Sequence, residues 1–443
     1  MADPTLFPLP QQTGPSSLPA TRPSEARVLS PVREQVQLVP RTLDELLPAG
    51  HKARAIWNVL QKLDLAAFYS SIKALLDRPG RAAIDPRILL ALWLLATVEG
   101  IGSARRLARL CEEHDAYRWV CGGVSVNYHT LSDFRVGHKE ALDDLLTQII
   151  ASLLASKAVK LERVAQDGMR VRASAGAASF RKRATLKDCL REARAQVKWV
   201  AEERDHSDAE MTKREQAARE RAAREREERV QRALDLLPQL QVTKERQAAN
   251  YDKERRKKVT EPRASTTDPE ARVMKMPDGG FRPAYNVELA TDVDSGIIVG
   301  VGVTSEGTDA QQAVPMEEQI VQRTGQHPSA YLMDGGFASH EAIITLEQRG
   351  IDVFAPVRLS RNRPPETRFL PHKGESAEVT RWRQRMGTPE AQETYKLRAA
   401  TAEWTNAQVR QHGINAFLVR GLVKVTAVML FAAIAHNLLH ASL

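Results

Sequence analysis

The sequence predicts a mixed α/β protein: a helical N-terminal domain, then a mixed sheet covered by helices, with a long charged helical insertion interrupting the second part. Three observations carry this expectation. Residues 43–154 place apolar side chains at helical spacing. Beyond Pro262, β-branched runs alternate with helical ones, the order of a sheet with helices on its faces. Between these parts, residues 181–262 are dense in Arg, Lys and Glu, interspersed at the spacing that pairs neighbours on an exposed helix. The expected boundaries are a disordered tail over 1–35, a helical domain over 36–160, and a sheet-bearing domain over 161–443 with 181–262 as its insertion.

The tail is rich in Pro, Ser and Thr and poor in large apolar residues. Helices follow over LDELL, HKARAIWNVLQKLDLAAFYSSIKALL and ILLALWLLATVEG, with breaks at Pro79-Gly80 and at Gly100-Ile101-Gly102. Pro86 suits the first turn of a helix that starts after Asp85. SARRLARLCEEHDAYRWV and SVNYHTLSDFRVGHKEALDDLL predict two more helices joined by Gly122-Gly123, a helix-turn-helix in outline. Val164, Met169 and Val171 alternate with polar neighbours and predict a strand.

The charged stretch predicts one or two long helices projecting from the core. Its apolar stripe of Ala217, Ala218, Ala222, Val230, Leu234 and Leu237 is too thin for a long autonomous coiled coil, and Pro238 predicts a corner. Next, PAYNVELATD and IIVGVGVT flank Val293-Asp294-Ser295-Gly296 and predict a hairpin. A helix over DAQQAVPMEEQIVQRTG, a strand over SAYLMD, a helix over HEAIITLEQRG and a strand over IDVFAPVR complete the sheet. The apolar stretch from Phe417 to Leu438 predicts a buried helix covering it.

A net charge of +9 and a pI of about 9.5 point to an anionic partner, most commonly nucleic acid for a soluble basic chain. Three scattered cysteines, Cys111, Cys121 and Cys189, exclude a disulfide framework or a zinc cage and suit a reducing cytoplasm. The start MADPTLFPLPQQTG lacks a signal-peptide pattern, and the apolar runs near 88–98 and 425–434 read as too short to cross a bilayer, so no membrane partner is expected.

Three acids occupy three different settings. Asp167, in AQDGMRVRASAG, lies in the alternating strand. Asp334, in SAYLMDGGFASH, ends an apolar run and precedes two glycines, which lets the backbone turn and aims the carboxylate beyond the sheet. Glu403, in ETYKLRAATAEWTNAQVR, lies among helix formers. Strand, strand end and helix together make a carboxylate cage suited to magnesium.

The segments DGMRVRASA, DPEARVMK with PAYNVELATD, LMDGGFAS, and Tyr395 and Arg398 leading to Glu403 resemble those of DDE transposases from bacterial insertion sequences, from about Ile84 to near the C-terminus. The resemblance implies an RNase H-like fold and metal-dependent DNA cleavage at transposon ends, followed by strand transfer through a 3′ hydroxyl. Asp167, Asp334 and Glu403 are then the catalytic and metal-binding residues, with two Mg2+ ions (Mn2+ as the alternative) and Asp167 as the bridge. Tyr395, Arg398 and Arg410 are the expected DNA contacts, Arg410 standing where lysine is usual. The partners are double-stranded DNA, as terminal inverted repeats and target, and a second copy of the chain as a homodimer on DNA. The competing expectations are a catalytically inactive DNA-binding regulator descended from a transposase, and an RNase H-like nuclease without strand transfer.

Other residues compete for roles. Arg105, Arg106, Arg109, Arg118, Arg135 and Lys139 are expected phosphate contacts, with Asn127 or His129 near bases; a solvated helix face is the alternative for each. The basic run YDKERRKKVTEPR reads equally as a DNA contact or a helix end. Asp268 is the leading substitute for Asp167. Asp292 and Asp294 suit a hairpin turn, Glu393 lacks the spacing of Glu403, and His436 and Asn437 suit helix packing.

Overall fold

Strand β1 (Arg163–Arg172) is the centre on which the rest is assembled. Strand β5 (Phe281–Asp292) lies antiparallel along it, Asp167 opposite Leu289, and β6 (Ile298–Thr304) returns antiparallel on the far side of β5. On the other flank of β1, β7 (Ala330–Leu332) and β8 (Asp352–Phe354) add in parallel. The order β6-β5-β1-β7-β8, with β4 (Arg272–Lys275) beside the first residues of β5, is the mixed sheet of an RNase H-like fold. The structure is a computed structural model and describes residues 33–36, 38–70, 72–74, 82–206, 213–249, 260–358 and 364–441. Most of the expected tail, the Pro79-Gly80 turn and the greater part of YDKERRKKVTEPR lie outside these residues.

The predicted hairpin joins β5 to β6. Asp292 accepts from Ser295 N (3.1 Å) and Oγ (2.6 Å), and Gly296 takes φ +70°, a conformation that glycine adopts without steric penalty.

The helices before β1 are α1 (Lys52–Leu60), α2 (Ala66–Tyr69), α3 (Pro86–Val98), α4 (Ala104–Glu113), α5 (Asp115–Cys121), α6 (Tyr128–Gly137) and α7 (Lys139–Ala155). Asp85 caps α3 through Arg87 N at 2.8 Å, with Pro86 in its first turn as expected. Two stretches expected as single helices are broken at histidines. His114 ends α4 and caps α5 by accepting from Ala116 N, and His138 separates α6 from α7. At His114 a cap supplied by the side chain to a turn two residues on competes with helix propagation, and the pattern of apolar residues does not register it; His138 makes no such cap.

Insertion helices α8 (Arg183–His206) and α9 (Lys213–Ala249) pack together and rise from a short ribbon of β2 (Phe180–Arg181) and β3 (Ala264–Ser265). Their small core is Leu186, Leu190, Val230, Ala233, Leu237 and Ala264, and ion pairs such as Arg194–Glu227 (3.2 Å) and Arg219–Glu203 (3.1 Å) link the outer faces. Pro238 is not a corner: α9 runs through it, held by the buried Leu237 on one side and the partly buried Leu240 on the other.

After the sheet's first strands come α10 (Ala313–Thr324), α11 (His340–Gln348), α12 (Ala377–Arg385), α13 (Pro389–Arg398), α14 (Trp404–Gln411) and α15 (Leu422–Ala441). Helix α15 packs on β6 and also on α3, α6 and α7, with Phe431 against Trp93 at 6.4 Å. One core therefore runs from Leu47 to Leu438, and residues Leu43–Leu443 form one compact unit. The described residues before Leu43 form neither helix nor strand. With 20 residues, α15 is long and apolar enough to cross a membrane, contrary to the expectation of a run too short. Its burial inside the protein, with Val425, Met429 and Ile434 at or near zero exposure, makes it a core helix. Asn437 on α15 clamps Ile298 of β6 through both N–H and C=O at 2.8 Å, and His436 bonds Gly296 O. Both therefore serve packing, as the simpler expectation had it.

Candidate active site

Residues directly opposed in the β1–β5 ladder share a face of the sheet. Asp167 thus shares a face with Met169, Val171 and Leu289, all nearly inaccessible, and its carboxylate is largely buried. Asn406 Nδ2 of α14 donates to Asp167 Oδ2 at 3.0 Å, and Arg398 Nη1 stands 3.8 Å from Oδ1. Burial pushes the Asp167 carboxyl above its ordinary range; Arg398 opposes that shift, while the charges of Asp334 and Glu403 add to it. Asp334 and Glu403 are therefore both near enough for their charges to act on Asp167. Among the described residues, no three His, Cys, Asp or Glu side chains stand close enough to share one metal ion.

Asp334 lies two residues beyond β7, at the carboxyl end of the strand parallel to β1. Its Oδ1 accepts from Gly336 N at 2.5 Å. Neither Gly335 nor Gly336 has a positive φ, so the expected sharp turn is not what requires glycine. Crowding is: a Cβ on Gly336 would stand 2.8 Å from Asp334 Oδ1 and 3.2 Å from Asp309 Oδ2.

Glu403 ends a π-helical turn, Ala399–Glu403, set between α13 and α14. Five residues separate it from Arg398, which in a regular α-helix would turn the two side chains about 140° apart. In a π turn, residues five apart stack along the axis, so Arg398 and Glu403 both reach the charge of Asp167. Deleting the exposed Ala400 should let the segment close into ordinary α-helix and keep the pair on one face. We expect that variant to stay within about 1 kcal/mol of the parent in urea unfolding. Deleting the exposed Ala407 instead rotates buried Val409 by about 100° and should remove about 2 kcal/mol or more. Equal losses in the two variants would contradict this account.

Tyr395 hydrogen-bonds Arg398. Burial alone would lower the Arg398 pKa; this bond and the charges of Asp167 and Asp334 outweigh it and hold the guanidinium charged. Arg410 is exposed seven residues beyond Glu403, which returns it to the same helix face. Two buried atoms at the site lack a hydrogen-bond partner, Asn406 Oδ1 and Arg398 Nη1.

Glu288 and Asp309 were not among the sequence candidates. Glu288 Oε1 accepts from Asn286 Nδ2 at 2.7 Å, Asp309 Oδ1 accepts from the same nitrogen at 2.7 Å, and Gln166 Nε2 reaches Glu288 Oε2 at 3.3 Å. A Cβ on Gly168 would lie 3.0 Å from Glu288 Oε1 and 3.1 Å from Asp309 Oδ1. The available signal was a lone acid inside the apolar NVELA run.

Burial, then the charge of Asp309, raises the Glu288 pKa from 4.5 to about 8. Below pH 4.5 the group is protonated whether folded or not and opposes nothing. As pH rises to about 8 the unfolded chain loses the proton first, so stability falls, by on the order of 5 kcal/mol in all. Glu288→Gln should flatten that slope: equal urea midpoints near pH 4.5 and a higher midpoint than the parent at pH 8. Parallel pH profiles for the two proteins would refute the shift.

Several other expected residues have partners within the chain. Arg135 is not a phosphate contact: it is buried, donates to Gly102 O, and stacks on Trp93 at 4.3 Å. Asn127 caps α6 through Thr130 N at 3.0 Å, Arg118 pairs with Asp115, Lys139 with Glu140, and Arg105 lies over Tyr128. Arg106 and Arg109 are exposed. Asp268 is no substitute for Asp167, because its Oδ1 faces inward to Tyr285 Oη (2.8 Å) and Gly421 N (3.2 Å). Glu393 is exposed and pairs with Lys396.

Residues 41–137 match the family model of a transposase domain (DUF772), and residues 258–438 match that of the transposase DDE domain. Asp334 and Glu403 fall within the second match; Asp167 falls between the two, ahead of the insertion. No curated protein and no solved structure matches the chain. A parallel flank carrying an acid at its strand end, a helix carrying the third acid beside β1, and two transposase matches in order lead to one conclusion: the chain belongs to the DDE transposases of bacterial insertion sequences.

Proposed function

We propose that this transposase cleaves DNA at the ends of its element and joins the freed 3′ hydroxyl to target DNA, with Asp167, Asp334 and Glu403 as the catalytic carboxylates. What supports this reading is the setting of Asp167 at the centre of the sheet, held by Asn406 at 3.0 Å beside Arg398, with the charges of Asp334 at the β7 end and Glu403 in the π turn both acting on it. DDE transposases generally use Mg2+. The donors here are oxygens, three carboxylates and the partnerless Asn406 Oδ1, the hard ligands that Mg2+ or Mn2+ takes. When bound, a pair of such ions would activate the attacking oxygen and stabilise the leaving oxygen of an in-line displacement at phosphorus.

The chain's own residues do the rest. Asn406 and Arg398 fix the Asp167 carboxylate from two sides, leaving it oriented without a tight ion pair. Arg398 is held by Tyr395, and Arg410 extends the same face toward a DNA backbone, where a guanidinium binds phosphate by its planar fork. The N-terminal helical domain carries end recognition through exposed bases such as Arg106 and Arg109, and the working form is a homodimer on terminal inverted repeats in the cytoplasm.

The deciding measurement incubates the protein with labelled duplexes bearing the element's inverted repeats, a target plasmid and magnesium. Transposase action gives nicked ends and joined products. Nicking without joining would favour an RNase H-like nuclease, and end binding without nicking a DNA-binding regulator.

A further inference from the structure

A second basic feature lies away from the three acids. Where the insertion meets the sheet domain, a cavity of about 290 Å³ is lined by Arg226 and Arg229 of α9, Arg420 from the α14–α15 connection, Thr266, Thr267 and Cys189. Arg226 and Arg229 are three residues apart and share a helix face. Arg420 is anchored from the other side by its Nε, which donates to Ser174 O at 3.2 Å. Three guanidinium groups thus converge from two separate parts of the chain.

Among the described residues, no carboxylate lines this space. Arg229 reaches Glu225, and Arg226 reaches Glu192, only at 3.7 Å, longer than the 2.7–2.9 Å or so of a good charged hydrogen bond, and the close partner of Arg226 is the neutral Gln196, whose Oε1 accepts from Nη1 at 2.6 Å. Asp268, beside Thr267, is turned inward to Tyr285 and Gly421. Arg229 Nε is buried without a partner, and burial followed by the charge of Arg420 lowers the Arg229 pKa. Like charges held together, with the threonine hydroxyls as further donors, are stabilised by an anion between them. The volume is at the lower end of small-ligand sites, roomy for one phosphate group with part of its sugar.

We propose that this cavity binds a phosphate of the DNA backbone, so that the helical insertion and the core grip the duplex jointly at a point remote from the cleavage site. The inference rests on the transposase reading for the identity of the duplex. Ser174, which anchors Arg420, lies two residues past the end of β1 and seven beyond Asp167, which sets the cavity apart from the three acids.

The test uses the full chain and an end-bearing duplex, with affinity measured across a series of salt concentrations. Arg229→Gln and Arg420→Gln should each weaken binding about tenfold and reduce the log–log salt slope by about 0.9. Because either change could disturb the insertion, Thr267→Glu provides a second variant: it leaves every arginine in place, supplies the missing counter-charge, and should weaken binding similarly while the melting temperature holds or rises. A methylphosphonate scan of the duplex should find one sensitive position away from the cleavage point, and that sensitivity should vanish in Arg229→Gln and Arg420→Gln.

Titration with inorganic phosphate and pyrophosphate separates a backbone phosphate from a free oxyanion. Saturable binding of either, abolished by Thr267→Glu, with an unchanged DNA salt slope, would assign the cavity to a free oxyanion and overturn the proposal. An unchanged slope in all three variants would overturn it too. Loss of strand transfer in the parent protein with these slope changes intact would count against the transposase reading and leave the cavity assignment standing.

Discussion

Asp334→Asn should abolish end cleavage while leaving end binding within about twofold. The asparagine Oδ1 can still accept from Gly336 N, so the tight turn after β7 survives, and the exposed basic residues are untouched. What is lost is a full negative charge at the strand end, one of the two carboxylate charges that act on Asp167. Loss of an outer-sphere partner at a metal site reduces affinity or activity by roughly 10–100-fold, and loss of a direct ligand should exceed that. The measurement is nicking of an end-bearing duplex with magnesium, alongside a gel-shift titration. Cleavage persisting near the parental rate would make Asp334 structural, and a fall in melting temperature matching the fall in activity would make the loss one of folding.

Removing residues 43–160 should leave a chain that does not fold, instead of an independent catalytic part. Helix α15 lies between the sheet and α3, α6 and α7, and its Met429, Leu430, Phe431 and Ile434 are almost inaccessible. Arg323 of α10 also bonds into α7, at Asp143 O (3.1 Å) and Thr147 Oγ1 (3.0 Å). Each large apolar side chain exposed forfeits about 1.5–3 kcal/mol, and a handful of them equals the roughly 5–15 kcal/mol that holds an ordinary domain together. The truncated chain should therefore be insoluble, or lack near-ultraviolet circular dichroism and a cooperative melt. A soluble fragment with a sharp transition would show that the sheet has a core of its own. For the same reason end recognition is better dissected by point substitution, as at Arg106 and Arg109, than by truncation.

The amino-acid sequence by itself determined the broad succession of helices and strands and the strand settings of Asp167 and Asp334. The alternation around Asp167, the apolar run before Asp334, the turn residues between β5 and β6, and the Asp85-Pro86 helix start are patterns contained within a few neighbouring residues. Such patterns act through backbone conformation and period, so they are legible without partners. Helix breaks at His114 and His138 and the passage of α9 through Pro238 were not legible. At His114 a side-chain cap, and at Pro238 packing on both sides of the proline, outweigh the propensity that the pattern expresses.

The active-site surroundings were decided by tertiary structure alone. Asn406 meets Asp167 across 239 positions, and Gln166 meets Glu288 across 122. Nothing near either residue in the chain announces the other. Arg135 looks like an exposed base until Trp93 and Gly102 cover it, and Gly336 looks like a turn glycine until two carboxylates crowd it. The five-residue step from Arg398 to Glu403 reads as a mismatch on an ideal helix, and the π turn cancels it. Period and propensity are properties of neighbours along the chain, whereas burial, charge coupling and steric room depend on which distant segments the sheet brings together.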